Sequence, residues 1–231
     1  MIRAYLVTAP LIVLATVVLG TASVAGSLVD PNGRFQHACA RVWSRFIVSV
    51  SGIDLVVRRA DGFHRDGRYV ICANHQSHMD IPVLLAALPM QFRFTAKKEL
   101  FRIPFLGWHL RRAGHFPIDR EHPRTSARAL ERSADQIRQG VSLAVFPEGG
   151  TSRTGHVGSF KRGGFLIAEH VGFEVLPVTI SGTRDILPPG SHRVRNGTVT
   201  VTIHAPVPSN TLSVNDLVDA VRTRIVEGAA P

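Results

Sequence analysis

The chain has 231 residues, enough for one sizeable core and a short appendage. It carries a formal net charge of +10, nearly all of it arginine, and a mean hydropathy of +0.11, which is apolar for a water-soluble protein. Two cysteines exclude a disulfide-built scaffold, and no zinc-finger, RRM or helix-turn-helix pattern accompanies the basic charge, so nucleic acid is not the expected partner.

From Ala4 to Val29 no side chain is charged. A helix of about 20 apolar residues crosses a bilayer, and the h-region of a secretory signal is shorter, so the spacing predicts a retained membrane helix. Asp30-Pro31-Asn32-Gly33 then marks a turn. Beyond it Phe35, Ala38, Cys39, Val42, Trp43, Phe46, Ile47 and Val50 recur at helical spacing, with Arg34, Arg41 and Arg45 off that face. Residues 1–51 thus read as an apolar two-helix membrane anchor, spanning the bilayer or dipping into one leaflet. Arg34, Arg41, Arg45, Arg58 and Arg59 follow the apolar run and only Arg3 precedes it, which puts the remainder on the cytoplasmic side of a cell membrane. A basic surface beside such an anchor suits anionic lipid or phosphate-bearing substrates.

From residue 52 to 231 apolar runs alternate with helical stretches. Strands are expected at Ile53–Arg58, Tyr69–Ala73, Arg93–Ala96, His115–Ile118, Leu143–Phe146, Val175–Ile180 and Val199–His204. Helices are expected at Ile81–Leu88, Phe105–Ala113, Arg124–Gln139, Gly164–Val171 and Val214–Val226. This alternation predicts an α/β domain with a mostly parallel central sheet flanked by helices. Its ligands should gather at the carboxyl ends of the strands.

Three loops at such ends carry chemistry. Asn74-His75-Gln76-Ser77-His78-Met79-Asp80 follows a strand and precedes Ile81-Pro82, where Asp80 suits a helix N-cap. Positions five apart lie on different sides of a straight helix, so a tight loop must fold the Asp80 carboxylate back onto the His75 imidazole. An imidazole titrates near neutrality, and a carboxylate can fix its tautomer and stabilise its charged form. Phe146-Pro147-Glu148-Gly149-Gly150-Thr151-Ser152-Arg153 offers backbone donors and a cation for an anion. Gly114 to Arg120 ends a third strand in an arginine, again suited to phosphate. Cys72, His75 and His78 lie three apart, yet no fourth ligand stands at a zinc spacing, and no metal is expected. No nucleophile elbow, P-loop or dinucleotide fingerprint occurs.

Four blocks in this order resemble the glycerolipid acyltransferases, most closely the 1-acyl-sn-glycerol-3-phosphate (lysophosphatidate) acyltransferases. They are Asn74-His75 with Asp80; Gly114 to Arg120, led by Lys97-Lys98-Glu99-Leu100 and Ile103-Pro104-Phe105-Leu106-Gly107; Phe146-Pro147-Glu148-Gly149; and Val175-Leu176-Pro177-Val178. The resemblance implies transfer of a fatty acyl group from acyl-CoA or acyl-carrier protein to the sn-2 hydroxyl of a lysophosphatidate-like acceptor, with no cofactor beyond that co-substrate. It implies His75 as general base oriented by Asp80, and Asn74, Lys97, Arg120, Glu148, Gly149 and Arg153 as substrate-binding residues. The family's third block commonly continues Gly-Thr-Arg-Ser. Here Gly150 and Thr151 stand at the threonine and arginine positions, so the arginine expected to hold the acceptor's phosphate is absent unless Arg153 replaces it. Another lysolipid acceptor, such as lyso-ornithine lipid, and a lipid or thioester hydrolase remain alternatives.

Overall fold

The computed structural model describes residues 8–30, 32–119, 134, 137, 140–191 and 193–229. Helix α1 (Ala9–Gly26) opens with proline in its first turn, where the missing N–H costs nothing. Asp30 then caps the next helix through its side chain. Its Oδ2 accepts from the Phe35 amide at 2.6 Å and its Oδ1 from the Asn32 amide at 3.0 Å. These backbone donors hold the Asp30 carboxyl below its ordinary range. Gly33, at φ 69°, makes the left-handed step into α2 (Arg34–Val50).

The remaining elements follow in chain order: β1 (Ile53–Arg59), β2 (Tyr69–Ala73), α3 (Asp80–Ala87), β3 (Phe92–Lys97), a 3-10 turn (Lys98–Arg102), α4 (Leu106–Arg112) and β4 (Phe116–Ile118). Then come β5 (Ser142–Val145), α5 (Gly163–Val171), β6 (Glu174–Ser181), α6 (Thr183–Ile186), β7 (Gly197–Ile203) and α7 (Val214–Ala229). The expected strands match to within two residues at each end. Of the helix expected at Arg124–Gln139, Ala134 and Ile137 are helical and buried, and the rest lies outside the described residues.

Seven strands form one sheet in the order β1-β7-β6-β2-β5-β3-β4. It is mixed, and mostly parallel as expected. β6 and β7 pair antiparallel, while every other neighbouring pair is parallel. Among the described residues the link from β6 to β7 holds one short helix, the four residues of α6, and not the long helix that usually carries a parallel crossover. β2 is buried on both faces over all five residues, as a central parallel strand must be. Tyr69, Ile71 and Ala73 face one core with α3, β6 and β7, whereas Val70 and Cys72 face the other with α5 and α7. Burial pushes the Cys72 thiol up, so it stays protonated and inert.

The second N-terminal helix corrects the two-helix apolar anchor. Among the described residues only α1 is long and apolar enough to cross a membrane, and almost none of it is buried. α2 is amphipathic. It packs against α3, and its Ile47 and Val48 belong to the core of the α/β layer. Its apolar stripe is therefore largely satisfied by protein, leaving Phe35, Val42 and Phe46 exposed. Arg93, buried within β3, holds the turn between the two helices by donating from Nη2 to the carbonyls of Asn32 (2.8 Å) and Gly33 (3.1 Å).

Candidate active site

The carboxyl ends of three adjacent parallel strands, β6, β2 and β5, meet at one place. The loop after β2 carries His75 and Asp80, the loop after β5 carries Glu148, and the turn after β6 carries Thr183.

His75 Nδ1 lies 2.8 Å from Asp80 Oδ2. The same oxygen accepts from the amides of Gln76 (2.7 Å) and Ser77 (2.9 Å). Asp80 is thus the first residue of α3 and not its cap. Its carboxylate turns back into the loop and gathers the orphan amides there. The other oxygen, Oδ1, accepts from Thr183 Oγ1 at 2.5 Å. Asp80 and Thr183 are wholly buried and His75 is 6% exposed. With four donors converging on it, the carboxylate has no freedom to rotate away from the imidazole. Because Asp80 takes the Nδ1–H, Nε2 is left with its lone pair, as a general base requires. The Phe146 ring stacks on His75 at 4.1 Å with planes 17° apart, fixing the ring's tilt.

The other expected residues divide. Asn74 is spent on structure: its amide donates to the Ile180 carbonyl and accepts from the Ile180 amide, both at 2.8 Å, locking the end of β2 to β6. Glu148 shapes the site. Its Oε1 accepts from the His75 amide at 2.8 Å and its Oε2 from the Gly158 amide at 2.9 Å. Gly149 holds φ 79° beside it, a conformation that suits glycine. The His75 carbonyl accepts from the Ser152 amide at 2.8 Å, so the two loops grip each other through both sides of the histidine. Arg153 is exposed. Lys97 is half exposed at the end of β3, 3.7 Å from Glu99. Arg120 lies outside the described residues.

Two contributors had no sequence motif. Thr183 reaches Asp80 across 103 residues. Its neighbour Arg184 donates to the carbonyls of Ser152 and Arg153, both at 2.9 Å, and so latches the Glu148 loop to the turn after β6. Gly182 makes that turn possible. It holds φ 91°, and a Cβ there would meet the Thr198 carbonyl. Lone threonine and arginine residues beyond a strand carry no local signal; only the neighbouring of β6 and β2 gives them a role.

A buried carboxylate–imidazole pair at the carboxyl ends of an α/β sheet defines a class, and a family comparison assigns it. The Acyltransferase family model matches residues 54–181, more than half of the chain, and the chain belongs to that family.

Among curated proteins, the chain is 35% identical over 208 residues to the chloroplastic 1-acyl-sn-glycerol-3-phosphate acyltransferase LPAT1 of Arabidopsis thaliana, covering 87% of this chain and 56% of that one. It is 28% identical over 212 residues to the 1-acyl-sn-glycerol-3-phosphate acyltransferase of Saccharomyces cerevisiae, covering 89% of this chain and 70% of that one. The chain thus spans little more than half the length of its plant relative. The crystal structure of PlsC, the 1-acyl-sn-glycerophosphate acyltransferase of Thermotoga maritima, superposes with a TM-score of 0.78 at 28% identity, over 94% of this chain and 93% of that one.

Proposed function

We propose that this chain is a membrane-bound acyltransferase that moves a fatty acyl group from a thioester, acyl-CoA or acyl-carrier protein, to the sn-2 hydroxyl of 1-acylglycerol 3-phosphate, making phosphatidate. The observation that carries it is the His75–Asp80 pair at 2.8 Å, with Asp80 saturated by donors and Nε2 available.

The steps follow from that geometry. Nε2 takes the proton of the acceptor hydroxyl as its oxygen attacks the thioester carbonyl. A tetrahedral oxyanion forms, and Asp80 stabilises the imidazolium made at the same moment. Collapse breaks the carbon–sulfur bond, and the imidazolium returns its proton to the departing thiolate. No covalent acyl-enzyme is required. The remaining acceleration would come from holding two substrates in register at the membrane face.

The membrane reading rests on α1 and its neighbour α4. Ser23 Oγ lies 2.7 Å from His109 Nδ1, which ties α4 to the carboxyl end of α1. Around α4, Ile103, Phe105, Leu106 and Trp108 are 41–60% exposed, and Leu28 and Val29 beyond α1 are 79% and 85% exposed. Arg102, Arg111 and Arg112 rim this apolar ground and suit anionic head groups. The α/β domain faces the cytoplasm, and α1 holds it at the interface.

The test is an acceptor screen on purified protein, with product identified by mass spectrometry. Lysophosphatidate, glycerol 3-phosphate and lyso-ornithine lipid are offered with acyl-CoA and with acyl-carrier protein. Phosphatidate is the expected product. CoA release indifferent to acceptor would mean hydrolysis, and a preference for lyso-ornithine lipid would replace the acceptor named here.

Thr183 is a positioning residue in this scheme. Thr183→Val strips the one donor to Asp80 Oδ1 among the described residues and leaves a buried carboxylate oxygen without it, a loss of about 1–3 kcal/mol. The expected result is a kcat about tenfold lower with KM little changed, restored in Thr183→Ser, which keeps the hydroxyl. An equal loss in the valine and serine variants would show that only packing matters there.

A further inference from the structure

Within the reading above, the acceptor's phosphate has lost its expected arginine, since Thr151 stands in its place. We infer that Lys161 holds that phosphate.

The substrate itself sets how far the phosphate can lie from the reacting oxygen. The reacting oxygen is on C2 and the phosphate on C3, one carbon and one ester oxygen further on. The cation must therefore lie beside the loop that grips His75. Lys161 does. Its amide donates to the Pro147 carbonyl at 2.8 Å, and its side chain folds over Gly149. The atoms nearest to where Gly149 would bear a Cβ are Lys161 Cε and Nζ, each at 2.8 Å, and Cδ at 3.2 Å. Glycine at 149 thus serves two ends: it takes φ 79°, and it leaves room for the ammonium. The preceding residue, Glu148, receives the His75 amide, which puts the ammonium one residue from the base's own support.

Charge accounting favours the same residue. Among the described residues Lys161 makes no ion pair within 4.0 Å, so Glu148 does not neutralise it. Arg184 spends its guanidinium on two carbonyls. Lys97 stands near Glu99 at the end of β3, two strands from β2. The carbonyl of Arg153 is held by Arg184, further along the loop. An ammonium beside Gly149 with no ion pair among the described residues matches a phosphate carrying close to two negative charges.

The experiment uses the full chain in detergent, comparing the parent with Lys161→Met, Lys161→Gln, Lys161→Arg and Arg153→Gln. The methionine variant keeps most of the stem over Gly149 and removes only the charge. Lysophosphatidate and 1-monoacylglycerol, identical but for the phosphate, are the acceptors, and KM for acyl-CoA is measured alongside. The ratio of kcat/KM for lysophosphatidate over monoacylglycerol should fall about ten- to hundredfold in the Met and Gln variants and recover largely in the Arg variant. Inhibition by glycerol 3-phosphate should weaken in parallel. A ratio unchanged in both neutral variants overturns the assignment, as does a fall in Arg153→Gln alone. A rise confined to KM for acyl-CoA assigns Lys161 to the coenzyme's phosphates and also overturns it. A parent enzyme that acylates no lysophosphatidate sinks the acceptor reading itself, which is a separate failure from an indifferent Lys161.

Discussion

His75→Ala is expected to lower kcat/KM about 10²- to 10⁴-fold while the protein stays folded, the range that positioned base catalysis supplies. The imidazole lies at the edge of the core, and its removal leaves the Asp80 carboxylate with three of its four donors. The fold therefore loses little and the chemistry loses its proton acceptor. Asp80→Asn tests the partner. An asparagine oxygen can keep the bonds from His75, Gln76 and Ser77 if its NH₂ turns to Thr183, whose hydroxyl can accept. Geometry and tautomer then survive, and the charge that steadies an imidazolium does not. Asp80→Asn should fall between the parent and His75→Ala. Thiol release from acyl-CoA in the presence of lysophosphatidate is the measurement. Turnover within a few-fold of the parent in both variants would end the proposal that this pair performs the proton transfer.

Acidification should destabilise the protein between about pH 6.5 and 4 through buried histidines other than His75. His37, on α2, is buried against Phe92 with its rings edge to face at 5.2 Å, and its Nε2 has no hydrogen-bond partner among the described residues. Burial, with the positive charges of Arg93 and Arg41 nearby, pushes its pKa down to about 4 from an ordinary 6.5. His109 and His115 are lowered for the same reason, burial first and neighbouring cations second. His115 also accepts the Phe94 amide through Nδ1 at 2.9 Å, a bond only the neutral ring can make. Between the two pKa values the unfolded chain takes a proton that the folded chain refuses. The His37 share of stability is thus whole above pH 6.5, declines as pH falls, and is gone near pH 4. That span of 2.5 units corresponds to about 3 kcal/mol, a large part of a typical domain's stability. Unfolding midpoints between pH 7.5 and 4 should drop accordingly, and His37→Gln should flatten the drop. A midpoint level across that range would refute it. Because these histidines sit where α2, α4 and β3 meet, acid should loosen the N-terminal helices first.

The most legible features were those written in short stretches of chain. The uncharged run through α1 and the strand runs need only local periodicity, because a side chain's face follows from its position along a helix or strand. His75 and Asp80 were found the same way: five residues apart, straight after a strand, they can meet only if the loop curls, and it does. The Asp30 turn was equally local.

What escaped was distant in sequence. Thr183 meets Asp80, and Arg184 meets the Glu148 loop, because β6 pairs with β2, and no property of residues 183 and 184 announces that pairing. Asn74, a candidate for binding, turned out to be committed to Ile180 by the same strand adjacency. The amphipathic pattern of α2 told which face was apolar and not what would cover it, and α3 took much of what a membrane was expected to hold. The chain's own order of residues therefore sufficed for the strands, most of the helices, the apolar first helix and the spacing of His75 and Asp80, since each depends on neighbours along the backbone. The antiparallel β6–β7 pair, the Thr183 donor to Asp80 and the Arg184 latch arose only when strands chose their partners, since contact free energy is set by which surfaces meet in space.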